Sequence, residues 1–294
     1  MSVGRVGIWT GVLDGQPMSR AKELAAEIES LGYAALWLPE AVGRDVLVNA
    51  ALQLEATTSI TIATGIANIW ARDAMAMSAG HKTLTEAFPG RFLLGLGVSH
   101  HHLVERFRGH EYKKPLAHMR AYLDAMDTAL YMAVPPAETP KRVIGALGPR
   151  ALELAAAKAD GAHPYFVPVE HTATARQTMG EGPLLMPEQA VVLETDAARA
   201  REIARTHMAV YLGTVNYPNN LRRLGFSEDD LAGGGSDRLA DAIVAWGDLG
   251  AIRTRVKAHF DAGADHVCVQ VLGDDPRAVP MERWRELAPA LLDL

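Results

Sequence analysis

VIGALGPRALELAAAKADGAHPY, residues 143–165, holds one whole unit of the fold. Val143 to Ala146 reads as a strand. A glycine-containing turn follows, and Pro149 stands where a helix opens. Its fixed φ suits the first helical turn, where its missing N–H would have had no partner. Gly161 to Tyr165 then reads as the next strand.

The same alternation runs outward in both directions. Val3 to Trp9 predicts a first strand, followed by Ser19 as an N-cap and Ala21, Leu24, Ala25, Ile28 and Leu31 at helical spacing, stopped by Gly32. Further strands are expected at Ala34 to Pro39, Ile60 to Ala67, Phe92 to Leu96, Ala190 to Glu194 and His266 to Leu272. Helices are expected at 46–56, 73–87, 116–131, 169–179, 197–205 and 281–292. Eight strands, each followed by a helix, predict an α/β fold closed as a (β/α)8 TIM barrel, one domain over residues 1–294. The stretch between strands seven and eight is too long for one crossover. It carries two extra helices, near Ser236 to Trp246 and Ala251 to Ala262, beside Gly233-Gly234-Gly235, and reads as an insertion on the active face.

Composition narrows the class. Apolar residues make up 49% of the chain and charged ones 22%, as in a globule with a filled core. The net charge of −6 leaves no basic surplus to displace counterions, which argues against nucleic acid as a partner. Nowhere do eighteen apolar residues run together, so no membrane span is expected. The single cysteine, Cys268, alternates with valines and reads as a core residue. A cytoplasmic protein is expected.

Barrel enzymes place their chemistry at the C-terminal ends of the strands. In Ile144 to Ala155, Ala146, Leu147 and Gly148 lead into a helix whose first N–H groups and dipole favour an anion. An ordinary turn reads the same way. Phe92 to Ser99 has glycines at 95 and 97 but lacks the third glycine of a dinucleotide fingerprint. Facing the barrel mouth, these glycines leave room for a flat ring. His100, His101 and His102 point in different directions and do not suit a metal site, so none is expected. One of them is a candidate for proton transfer. Glu40 and His163 each follow a strand and stand at the mouth, where a surface role is the alternative. Tyr165, Tyr211, Tyr217 and Asn219 are candidates for substrate selectivity.

Taken in order, ALWLPE (35–40), IATGIAN (62–68), PGRFLLGLGVSH (89–100), IGALGPRALELAAAKADG (144–161) and AGADHV (262–267) resemble the luciferase-like monooxygenase superfamily, in particular its F420-dependent oxidoreductase branch. The resemblance covers nearly the whole chain. It implies a homodimer, a deazaflavin F420 cofactor and a non-proline cis peptide at Gly65-Ile66 behind the ring. It also implies ring contacts from Glu40, Asn68, Gly97, Val98 and Ser99, and a phosphate on Ala146, Leu147 and Gly148. The implied activity is hydride transfer between the deazaflavin C5 and a small organic substrate. The alternatives are an FMN-dependent two-component monooxygenase and an F420-binding protein without turnover. Where many such enzymes have an acid followed by histidine, this chain has Glu40-Ala41. Where a glutamate often follows the fourth strand, it has His100. The proton relay is therefore expected to rest on His100, with Glu40 the retained acid.

Overall fold

The computed structural model describes residues 3–294. Eleven strands form one sheet: β1 (Val6–Trp9), β2 (Ala35–Leu38), β3 (Thr61–Thr64), β4 (Ala67–Asn68), β5 (Phe92–Gly97), β6 (Arg142–Ile144), β7 (Gly161–Ala162), β8 (Leu184–Leu185), β9 (Glu188–Val192), β10 (Val244–Trp246) and β11 (Val267–Val271). The order is β10-β9-β11-β1-β2-β3-β5-β6-β7-β8, with β4 on β5. Every pairing is parallel.

The sheet curls, so that its terminal strand β8 runs on into β9 near the other edge. β8 pairs with β7, whereas β9 pairs with β11, and only Met186 and Pro187 separate them. Across that gap the Met186 N–H donates to the Ala162 carbonyl, and the Pro187 carbonyl accepts from the Cys268 N–H. One inner face results, lined by Trp9, Trp37, Ala63, Leu93, Val143, Met186 and Cys268. The alternate residues Ile8, Leu36, Ile62, Leu94, Ile144 and Val269 face outward and pack with Leu24, Ile28, Ala50, Leu54 and Leu152 of the helices. Both faces are buried, which explains why the strands read as continuous apolar runs.

The structure corrects several boundaries. The expected strand 60–67 breaks at Gly65-Ile66, whose peptide bond is cis, and resumes as β4. The strand expected over 161–165 stops at Ala162, before Pro164, which has no N–H to donate, and Phe166 at φ 58°. The strand expected at 190–194 begins two residues earlier, at Glu188. The helix expected over 236–246 ends at Ile243, and Val244 to Trp246 instead complete the open edge of β9. The helix expected to reach Tyr131 ends at Asp127. Leu184–Leu185, between Pro183 and Pro187, and the helices Asn216–Arg223 and Glu228–Leu231 were not expected.

The lumen holds a polar column. Trp37 stacks on His163 with ring centroids 4.3 Å apart and donates its indole N–H to His266 Nε2 at 3.0 Å. An indole can only donate, so His266 accepts at Nε2 and donates from Nδ1 to the Gly4 carbonyl at 2.9 Å. Burial pushes both imidazoles down to about 4, so they are neutral at physiological pH.

Candidate active site

The C-terminal strand ends gather most of the residues singled out from sequence. Asn68 pairs with Gly97 across β4 and β5. Glu40 donates its N–H to the Ile66 carbonyl and accepts the Asn68 N–H at 2.7 Å. Ile66 lies over Gly97, where a Cβ would overlap its side chain, and beside Gly145. Trp9 donates its indole N–H to the Gly65 carbonyl at 2.9 Å. Trp70 does the same to the Val98 carbonyl at 3.0 Å. Ser99 takes a left-handed conformation, φ 56°, and its carbonyl accepts the Tyr112 hydroxyl. Such a conformation on a residue with a Cβ persists only where its surroundings impose it.

One amide is left free. Asn68 is 1% exposed, its Oδ1 accepts the Trp70 N–H, and its Nδ2 has no partner. A buried donor without an acceptor is costly, and this one sits beside the Ile66 wall and the glycine-edged end of β5.

The Glu40 carboxylate is heavily engaged as an acceptor. Its carboxylate receives Arg72 through both terminal nitrogens, the Asn68 N–H and, at 3.4 Å, the Val46 N–H. Arg72 reaches on to Asp45, which caps the helix Val46–Ala56. With its lone pairs so occupied, Glu40 ties β2 to β4 and to that helix. Arg72 gave no signal in the sequence, since its partner lies 32 residues away.

His100 follows β5, with its ring 5.6 Å from the Tyr217 ring. Its Nδ1 is buried and unpartnered, and burial, with His102 nearby, lowers its pKa. It is thus a neutral base with a free nitrogen. His101 instead pairs with Glu105 at the surface. Among the described residues no three His, Cys, Asp or Glu converge as metal ligands.

At the β6 end, Gly148 caps the ten-residue helix Pro149–Lys158 and no side chain caps it. Pro149 has no N–H and the Ala151 N–H donates to the Gly148 carbonyl at 2.9 Å, which leaves the Arg150 N–H to face an anion. Arg223, from the helix Asn216–Arg223, lies against Gly148, about 3.2 Å from where a Cβ would stand. His171 bonds the Leu147 carbonyl at 2.8 Å and steadies the turn.

Tyr165, Tyr211 and Tyr217 do come together. The Tyr165 and Tyr211 hydroxyls are 2.6 Å apart, and Tyr165 donates to Gln270 at 2.7 Å. Tyr217 packs 5.2 Å from Tyr211. Asn219 lies on the same helix as Tyr217 but faces outward to Arg222. Glu188, which the sequence reading passed over, is also here: it is 1% exposed and lies near enough to all three tyrosines to help raise their hydroxyl pKa values.

Glycine-edged strands, a free buried amide and the start of the helix Pro149–Lys158 thus meet at the C-terminal ends of an inward-curled parallel sheet. Residues 4–266 match the luciferase-like monooxygenase family, and the chain belongs to that family. It is 25% identical to a Mycobacterium tuberculosis protein named as a coenzyme F420-dependent oxidoreductase, across 90% of this chain and 94% of that one. Among solved structures, it is similar to an F420-dependent secondary alcohol dehydrogenase holding an F420–acetone adduct, with TM-score 0.78, 13% identity and 99% of both chains covered. It is similar too to the F420-dependent tetrahydromethanopterin reductase of Methanopyrus kandleri, with TM-score 0.79, 16% identity and coverage of 100% and 99%. The FMN complex of a type II Baeyer–Villiger monooxygenase from Pseudomonas putida matches with TM-score 0.67, 15% identity and coverage of 98% and 99%. At such identities these structures speak for the fold. No helix of the described residues is long and apolar enough to cross a membrane.

Proposed function

We propose that this chain is an F420-dependent oxidoreductase that moves a hydride between the deazaflavin and a small organic substrate. The fold is then a (β/α)8 barrel whose seventh strand is Leu184–Val192 and whose insertion lies between that strand and β11. When bound, F420 donates or accepts a hydride at C5.

The observation that carries the reading is the Asn68 amide, buried and without a partner beside Ile66 and Gly97. It would donate to a ring acceptor. Ile66 would back the ring, and Gly97, Val98 and Ser99 would edge it. The Arg150 N–H at the helix start, with Ala146, Leu147 and Gly148 shaping the turn and Arg223 alongside, would take the phosphate of the tail. His100 would exchange a proton with the substrate from its free Nδ1, and the tyrosines would wall the substrate.

Titrating the purified protein with F420 and, separately, with FMN tests this. Micromolar F420 binding with no FMN binding is the expected result, and Asn68→Leu weakens it about tenfold, the worth of one buried hydrogen bond. The reverse preference would favour an FMN monooxygenase, the reading suggested by likeness to the P. putida enzyme. His100→Ala is expected to lower turnover with secondary alcohols or ketones at least tenfold while leaving F420 affinity within twofold. F420 binding without any hydride exchange would leave a carrier.

A further inference from the structure

Aromatic rings from separate elements gather past the strand ends. Trp9 ends β1, Tyr165 and Phe166 follow β7, and Tyr211 and Tyr217 stand on the helices Ala197–Leu212 and Asn216–Arg223. The Tyr165 ring centroid lies 5.0 Å from that of Trp9 and 5.1 Å from that of Tyr211, and Tyr211 lies 5.2 Å from Tyr217. These neighbours are tilted by 46°, 57° and 89°, so none of the pairs is stacked and the ring faces are not used up on one another. Phe166 packs behind Tyr211 and Tyr217 and is 1% exposed, whereas Tyr165 and Tyr211 keep part of their surface open.

One polar side chain is tied into this group. Strand residues alternate between faces, so Gln270, two residues past Cys268 on β11, falls on the same lumen face near the C-terminal end of the strand. Its Oε1 accepts the Tyr165 hydroxyl at 2.7 Å, the length of an O–H···O bond. Tyr165 has a single hydroxyl proton, so Tyr211 is the donor across the 2.6 Å between the two hydroxyls. This chain of hydroxyls fixes which end of the Gln270 amide faces Tyr165. The NH2 end is left without an acceptor among the described residues, on a side chain that is only half-buried. Trp9 joins the group to the Ile66 wall, because its indole N–H holds the Gly65 carbonyl.

The chemistry of these groups narrows what fits them. A carboxylate or phosphate would meet no lysine or arginine here, and the Glu188 carboxyl lies near the three tyrosines. A quaternary ammonium suits aromatic faces but gives the Gln270 NH2 nothing to donate to. An alkyl ketone accepts from the amide and leaves the ring faces unused. An aryl ketone or aryl alcohol uses both, with an oxygen acceptor one carbon away from a flat ring. We propose that this site takes an uncharged aryl ketone or the matching secondary aryl alcohol, its ring among Trp9, Tyr165, Tyr211 and Tyr217 and its oxygen on the Gln270 amide. The proposal rests on the hydride-transfer reading above and names its substrate class. Gln270 touches the substrate, and Tyr165 orients Gln270 through its hydroxyl.

The test uses acetophenone and 1-phenylethanol against butanone and 2-butanol. Acetophenone is expected to show saturation transfer from the protein in NMR spectra, with or without F420 loaded. Neither butanone nor tetramethylammonium at the same concentration should displace it. In the F420-loaded wild type, kcat/KM for 1-phenylethanol should exceed that for 2-butanol about thirtyfold, the worth of burying one aromatic ring. Tyr211→Leu should cut that ratio about tenfold while F420 affinity stays within twofold. Gln270→Leu should raise KM for both alcohols about tenfold and keep the aryl preference, as one lost hydrogen bond to either oxygen requires. Tyr165→Phe, which keeps the ring and releases the amide, should follow Gln270→Leu. A wild type that prefers 2-butanol, or gives up acetophenone to tetramethylammonium, overturns the proposal while the hydride reading stands. So does F420 binding without acetophenone binding in either form. An unchanged KM in Gln270→Leu removes the amide from the substrate oxygen. Acetophenone held by a protein that takes no F420 keeps the aryl site and overturns the hydride reading.

Discussion

Glu40→Ala is expected to lower stability by about 3–5 kcal/mol, the cost of leaving one partner of a buried ion pair alone. For a domain of this size that is a fall in melting temperature on the order of 10 °C. The reason is the surroundings of Arg72. Its side chain is 11% exposed, and Glu40 supplies both oxygens of its fork, while Asp45, itself half exposed, supplies one more. Removing Glu40 strands a guanidinium that cannot shed its proton. It also frees the Asn68 N–H, so the end of β4 loosens where the ring would sit. Arg72→Leu should cost as much from the other side, leaving a buried carboxylate. The pair Glu40→Met with Arg72→Met should regain most of the loss, because neither charge is then left unpaired. Thermal or urea unfolding of the four proteins measures this. A Glu40→Ala protein as stable as wild type would show that the pair contributes no net stability.

That ion pair marks a boundary of what residues reveal in order. Strands and helices were legible because both faces of a parallel sheet are buried, so its strands stand out as apolar runs between helical periods. The glycine turn into Pro149 and the glycines of β5 were legible for local reasons as well. The contacts that give the site its character join residues far apart in the chain. Glu40 meets Arg72, Trp9 meets Gly65 and Tyr165 meets Gln270, and no periodicity encodes such meetings. Glu188 was hidden by a smaller error. Pro187 looks like the end of a loop, and starting the strand at Ala190 left the acid outside it. Placed two residues earlier, an acid opening an apolar strand would have stood out as a lumen carboxyl. The tyrosines fared better: Tyr165, Tyr211 and Tyr217 were named for selectivity and do meet. The β10 strand followed from an edge that only the folded sheet presents.

Gly97→Ala is expected to be the more informative lesion at the cofactor site. A methyl group there would overlap the Cγ1 and Cδ1 atoms of Ile66, and neither residue can yield freely. Ile66 follows the Gly65 backbone held by Trp9 and Leu38, and Gly97 is paired with Asn68. Overpacking of this kind costs about 1–3 kcal/mol. Because Ile66 would back the ring, the displaced side chain should also weaken F420 binding at least tenfold. Ile66→Ala alone truncates a half-buried side chain and should cost less, about 1 kcal/mol, since only part of the deleted surface was out of water. The two changes together are expected to cost less than their sum, because the new methyl at 97 enters space vacated at 66. A coupling of about 1 kcal/mol or more, read from unfolding of the four proteins of the cycle, would place the two side chains in contact as the structure has them. Simple additivity would mean that Ile66 does not rest on Gly97, and the wall assigned to the ring would then have to be sought elsewhere along the strand ends.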